Sequence, residues 1–157
     1  MEEIKSKLNE LLIELDKEYR QWYRRKSNES FWIWFIFQSI AILPGFIVSV
    51  LVATSNSTEL VHNKPWIIIL TSIGSLIGFL LVQFKIYDIW KIRADGEVAF
   101  DNLYRLAIGK VAMAKTEEEY FNVYEEIRNL IHEIEYDAVK RYFSLSASDF
   151  VATWKSK

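Results

Sequence analysis

The 157-residue chain contains no cysteine, only 5 glycines and 2 prolines, and its charges nearly cancel, with 19 Lys and Arg against 21 Asp and Glu. Without cysteine there is no disulfide framework, thiolate nucleophile or zinc knuckle. So few glycines and prolines exclude a collagen-like or low-complexity chain. The formal net charge of -2 gives no electrostatic reason to bind a nucleic-acid polymer, so we expect none as a partner.

Two long stretches contain no charged residue, although charged residues make up 25% of the chain. They cover residues 31–53 and 66–84 and are separated by a predicted loop at 54–65. As α-helices they would be about 34 and 28 Å long, enough to cross a hydrocarbon core of about 30 Å. Buried helices of a soluble protein are the alternative, but such helices usually carry a polar stripe. We therefore predict a transmembrane hairpin at 31–84.

Basic residues near the ends of the two stretches indicate an orientation. Only Lys64 lies in the predicted loop, whereas eight basic residues flank the other ends of the stretches. Because basic residues are enriched on the cytoplasmic side, we expect a multi-pass membrane protein with both termini in the cytoplasm. Pro44 is expected to kink the first span. The eight residues are Lys17, Arg20, Arg24, Arg25, Lys26, Lys85, Lys91 and Arg93.

The flanking regions have helical periodicity. Residues 1–30 are predicted to form an N-terminal amphipathic cytoplasmic helix, and residues 85–157 a C-terminal cytoplasmic helical region. No Gly or Pro interrupts residues 85–95, so we expect the second span to continue for several turns. The apolar face of the first helix comprises Ile4, Leu8, Leu11, Leu12, Leu15, Tyr19 and Trp22, and that of the helix after the second span comprises Ile86, Ile89, Trp90, Leu103, Leu106 and Ala107.

The last long helix has the clearest signal. Thr116 and Glu119 have the spacing of a capping box, which marks a helix N-terminus. Ser146 and Asp149 are expected to cap a short final helix that ends near Trp154. No segment shows strand alternation, so the predicted class is an all-α membrane protein: a two-helix transmembrane hairpin with a cytoplasmic bundle of amphipathic helices. The apolar stripe comprises Tyr120, Val123, Tyr124, Ile127, Leu130, Ile131, Ile134 and Ala138.

Residues for catalysis are scarce. The two histidines, His62 and His132, do not occur in metal-binding motifs, and the chain has no phosphate-binding loop or nucleophile elbow. We therefore expect no enzymatic activity, no catalytic residue, no metal site and no cofactor. Neither apolar stretch contains Asp, Glu, Lys, Arg or His, the groups that mark ion and proton routes in membranes. Transport by a single copy is correspondingly disfavoured.

Small and polar side chains within the apolar stretches suggest helix packing. Gly74 and Gly78 form a GxxxG pair, and Thr71 and Ser75 form a second small pair at the same spacing. Such pairs let helices approach closely, either within one chain or between copies. The remaining polar residues either line a pore formed by several copies or bond to neighbouring backbone; they are Gln38, Ser39, Ser49 and Ser72.

The layout resembles the SLATT group, small effector domains with two transmembrane helices from prokaryotic conflict systems. The similarity lies in YRQWYRRK at 19–26, in the hairpin, and in IWKIRADGEVAFDNLYRL at 89–106, with Gly96 where the family commonly has Ala. A final amphipathic helix at 116–143 completes it. The resemblance implies an antiviral effector of the inner (cytoplasmic) membrane that assembles into a homo-oligomer. On a signal it would perturb or permeabilise the lipid bilayer.

The resemblance leaves the signal open between a nucleotide second messenger and a sensor protein. Basic side chains of the C-terminal region would meet nucleotide phosphates, although any solvated helix face displays such residues. A non-conducting membrane anchor that docks a cytoplasmic partner is the main alternative, and a subunit of a membrane enzyme or transporter is disfavoured. The candidate signal-binding residues are Arg105, Lys110, Lys140 and Arg141.

Overall fold

The computed structural model describes the backbone of residues 1–155 and the side chains of residues 1–56, 58 and 60–145. Every element within these residues is a helix, which confirms the all-α class. The first three elements follow one another without a break, so the chain forms four continuous helical segments. The elements are α1 (Glu2–Glu14), a π-helix (Leu15–Arg20), α2 (Gln21–Thr54), α3 (Ser57–Gln83), α4 (Ile86–Met113) and α5 (Glu117–Lys155).

The chain divides into two compact units. Met1–Glu29 and Asp88–Lys157 form what we call the terminal unit, and Ser30–Tyr87 forms the apolar unit. The terminal unit therefore combines α1, the π-helix, the start of α2, nearly all of α4, and α5. The apolar unit contains the rest of α2 and α3.

The terminal unit has a continuous apolar core. Phe100 of α4, Ile127 of α5 and Leu8 and Leu15 of the N-terminal helices are almost completely inaccessible to solvent. Burial of side chains of this size contributes about 1.5–3 kcal/mol each. All eight residues of the stripe predicted for α5 are buried or half-buried, so the phase of this helix was predicted correctly.

The π-helix changes which aromatic residue enters this core. Leu8, Leu11 and Leu15 are buried as predicted, but Trp22 is 41% exposed and Tyr23 is only 8% exposed. A π-helix has more residues per turn than an α-helix. The inward face therefore passes from Leu15 to Tyr23 in steps of four residues, and the prediction of Trp22 as a core residue was wrong.

Helix α4 is continuous through Gly96, at a point where it meets the N-terminal helices. A Cβ atom at Gly96 would lie 2.3 and 2.5 Å from two ring carbons of Tyr23. The absence of a side chain therefore lets the aromatic ring lie directly against the α4 backbone. Leu103 and Ala107 are buried as expected, whereas Leu106 was predicted wrongly and is 44% exposed.

The second apolar helix ends earlier than expected. Phe84 and Lys85 form a turn between α3 and α4, and Lys85 has φ 47°, a left-handed conformation that is uncommon outside glycine. The predicted continuous helix across 85–95 was therefore wrong at its first residue. At its other end α3 begins at Ser57, so most of the loop expected at 54–65 is helical.

The N-terminus of α5 has the predicted capping box. The backbone N–H of Glu119 donates to Thr116 Oγ1 over 3.2 Å, and the backbone N–H of Thr116 donates to Glu119 Oε2 over 2.9 Å. The helix then runs without interruption to Lys155, so there is no separate final helix. The side chains of Ser146 and Asp149, predicted as its caps, lie outside the described residues.

Candidate functional site

The apolar unit exposes a large hydrophobic surface. Within the described residues, two segments are apolar and long enough to cross a membrane. They are Glu2–Thr54, whose apolar window lies in its C-terminal part, and Leu60–Gln83. A core helix of a soluble protein would be mostly buried, yet almost none of the residues in these apolar windows is buried within the chain. Contiguous exposed apolar surface of this kind marks a membrane or protein contact. Its largest side chains include Trp32, Phe35, Phe46, Trp66, Leu76 and Phe79.

Most hydroxyl groups in the two apolar helices are satisfied by their own backbone. Ser39 Oγ donates to the carbonyl of Phe35 and Ser49 Oγ to that of Gly45, each over 2.8 Å. On α3, Ser72 Oγ and Thr71 Oγ1 donate to carbonyls of Ile68 and Ile67 in the same way. The sequence left two roles open for the candidate pore-lining serines: lining a pore, or bonding to neighbouring backbone. The structure contains the bonds to backbone. Gln38 is half-buried.

The candidate packing glycines occupy different surroundings. A Cβ atom at Gly74 would lie 3.1 Å from the carbonyl oxygen of Ala41 and 3.6 Å from Pro44 Cβ, so Gly74 packs against α2 within the chain. A Cβ atom at Gly78 would meet nothing within 4 Å. Together with Thr71 and Ser75, Gly74 lines a shallow depression of about 320 Å³ between the two helices. Gly78 is therefore the member of the pair that stays open to another helix.

Three of the four candidate signal-binding residues are already ion-paired. Arg105 binds Asp101 over 2.8 Å, Lys110 binds Glu126, and Arg141 binds Asp95 over 2.6 Å. A phosphate would have to compete with these carboxylates for the cations. Lys140 is exposed. Lys110 and Arg141 lie far apart, because their partners Glu126 and Asp95 are each fifteen residues along the helix from Arg141 and Lys110, respectively.

An ion-pair network that the sequence did not reveal joins the π-helix to α4. Arg20 Nε donates to Asp101 over 2.8 Å and Arg20 Nη1 donates to Asp16 over 2.9 Å. The guanidinium also lies over the ring of Tyr104, 4.9 Å from its centroid. The hydrogen bond from Arg20 holds the pKa of the Asp101 carboxyl below its ordinary value. The sequence contained the local Asp16–Arg20 spacing but no signal for the contact with Asp101.

A groove lies between α4 and α5 in the terminal unit. It has a volume of about 440 Å³ and an apolar floor that includes Ile92, Ala99 and Ile134. Its charged residues are three carboxylates and one guanidinium, so its formal charge is -2. We call this feature the α4–α5 groove; its charged residues are Asp95, Glu133, Asp137 and Arg141.

The two histidines belong to different helices, His62 to α3 and His132 to α5. His62 and His132 are both exposed. Within the described residues, no group of three or more His, Asp or Glu side chains is placed to hold a metal ion. No family model matches the chain, and neither a curated protein nor a solved structure has significant similarity to it.

Proposed function

We propose that the chain is a small membrane effector without enzymatic activity that is anchored by a helical hairpin, assembles into a homo-oligomer and permeabilises the bilayer. The observation that carries the proposal is the exposure of both apolar helices, since almost none of the residues in their apolar segments is buried within the chain. The hydrocarbon core of a bilayer solvates such an apolar surface, and a helix in it forms all of its backbone hydrogen bonds internally. The resemblance of 19–26 and 89–106 to the SLATT group supplies the effector role.

The proposed topology places both termini in the cytoplasm, with the terminal unit as the part that receives a signal. The support is the excess of basic residues beside the inner ends over the single Lys64 of the connection. Within the apolar unit, the rings of Trp34 and Tyr87 lie 5.7 Å apart, and Trp and Tyr are the residue types enriched at membrane interfaces. The bacterial inner membrane is the location that the resemblance implies.

Topology is testable with single cysteines, because the chain has none of its own. A cysteine at Lys64 should react with a membrane-impermeant maleimide in intact cells. A cysteine at Lys140, which is also exposed, should react only after the membrane is opened. Labelling of the Lys140 variant in intact cells would refute the orientation, and recovery of the chain in the soluble fraction would refute the membrane anchor.

Permeabilisation is tested separately, by dye release from liposomes that contain the purified protein. Gly78→Leu should lower both oligomer size and release, because Leu blocks close helix approach while keeping the span apolar. Phe79→Leu is the control on the same helix, since Phe79 is exposed and the change adds no bulk. Dye release that is unaffected by Gly78→Leu would contradict the role assigned to this glycine. Absence of dye release with the unmodified protein would contradict the conducting function.

A non-conducting adaptor is the second candidate, and one observation favours it. Ser39, Ser49 and Ser72 donate their hydroxyl hydrogens to their own helices, so only the acceptor side of each hydroxyl is left for a water-filled path. An adaptor would leave liposomes intact and would bind a cytoplasmic partner at a fixed ratio. Dye release therefore separates the two functions directly.

A further inference from the structure

We propose that the α4–α5 groove of one copy receives Trp22 and Arg25 of a neighbouring copy, joining copies head to tail in a ring. The groove supplies the first part of the argument. An apolar floor with three carboxylates and one guanidinium around it suits an occupant that is both hydrophobic and cationic. The same charge makes the groove unfavourable for a nucleotide phosphate, even though Arg141 belongs to it.

The chain itself presents a surface of the required chemistry. Trp22 is 41% exposed, and the side chains of Arg24 and Arg25 are 68% and 69% exposed. Trp22 and Arg25 are three residues apart on α2 and therefore project from the same face. Arg25 has only a long contact of 3.8 Å with Glu29. Exposed Trp and Arg side chains are the residues that most often anchor protein interfaces.

The two surfaces lie at the same level of the terminal unit. The ring of Tyr23, next to Trp22 in the chain, lies against Gly96, and Gly96 also lines the groove. Asp95, the residue before Gly96, pairs with Arg141 of α5. Trp22 and Arg25 do not line the groove of their own copy.

The inference rests on the proposed function, because anchoring in one bilayer limits how copies can be related to one another. Copies inserted in one bilayer with the same orientation are related by rotation about the membrane normal, which keeps every residue at its own height. A contact between two different surfaces then closes into a ring only if both lie at one level. Within the terminal unit, Tyr23 beside Trp22 and the groove both reach Gly96, so the two surfaces share a position along α4.

The test exchanges charges across the contact in the full-length protein. Arg25→Glu and Asp137→Lys should each weaken assembly about tenfold, because each places like charges face to face. The double variant carries both changes in every copy and should restore assembly, since opposite charges then face each other again with their signs exchanged. Oligomer size is measured by chemical crosslinking in membranes over a range of protein-to-lipid ratios. Arg128→Glu, an exposed basic residue of α5 outside both surfaces, should assemble normally.

Each other outcome counts against the contact. Failure of the double variant to recover would indicate that Arg25 binds lipid headgroups, and normal assembly of Asp137→Lys would indicate that the groove serves a different protein. Trp22→Ala is a second variant that adds no charge and should also weaken assembly. Circular dichroism checks the fold, and carbonate extraction checks membrane insertion. Release of the chain by carbonate would refute the membrane function. A chain that stays inserted but assembles normally after the charge exchanges would refute only the ring contact.

Discussion

Replacement of Gly96 by Ala should destabilise the terminal unit, although Ala is the better helix former. The new Cβ would lie 2.3 Å from a ring carbon of Tyr23, whereas carbon atoms in contact stay about 3.5–4.0 Å apart. The ring would therefore have to retreat by about 1 Å. It has little room to do so, because Tyr23 is 8% exposed and packs 4.9 Å from the ring of Phe100, which is completely buried.

Gly109 provides the matched control on the same helix. A Cβ atom there meets nothing within 4 Å, so Gly109→Ala should gain the helix propensity of Ala, about 1 kcal/mol, without a clash. Gly96→Ala gains the same amount but incurs an overpacking cost of about 1–3 kcal/mol. The difference between the two variants therefore isolates the clash. It corresponds to about 2–12 °C in the unfolding midpoint of a chain of this size.

The assay is thermal unfolding in detergent, followed by far-ultraviolet circular dichroism. The Gly96 variant should unfold below the Gly109 variant, which should equal or exceed the parent protein. A double-mutant cycle with Tyr23→Ala supplies the decisive result, since removing the ring should make Gly96→Ala as favourable as Gly109→Ala. A penalty at Gly96 that persists without the Tyr23 ring would refute the close-approach argument.

Three further predictions concern other parts of the chain. Ile127→Asp should destabilise the fold by several kcal/mol because it buries an unpaired charge, whereas Asn129→Asp on the exposed face of α5 should be nearly neutral in chemical denaturation. The backbone N–H groups of Lys115 and Thr116 lower the pKa of Glu119 from its ordinary 4.5. Its carboxylate therefore stabilises the fold above pH 4.5 and loses this effect as the pH falls through the lowered pKa. Glu119→Gln should be less stable than the parent at pH 7 and equally stable in acid. Lys85→Gly should be more stable than Lys85→Ala by about 1 kcal/mol, because Ala is strained at φ 47° and Gly is not, and equal midpoints would contradict this.

Local signals explain what could be predicted from the sequence. The capping box at Thr116 and the stripe of α5 depend on residues three and four apart, so periodicity alone found them. The break at Lys85 carries no such signal, because a left-handed residue is usually marked by Gly or Asn and here it is Lys. The α4–α5 groove also escaped prediction, because it exists only where two helices distant in sequence lie side by side.

The π-helix shows how one tertiary contact can redirect a whole surface. Arg20 lies at its end and bonds Asp101 of α4, while Tyr19 stacks on Phe100 with ring centroids 5.2 Å apart. These contacts hold the wider turn that local sequence does not specify. With regular α-helical phase, Trp22 would face the core, where the space beside Gly96 is fitted to the ring of Tyr23. The extra residue in the turn instead directs Tyr23 inward and leaves Trp22 outside next to Arg24 and Arg25. The exposed aromatic and basic face that we assign to contact between copies is therefore a consequence of how the core packs.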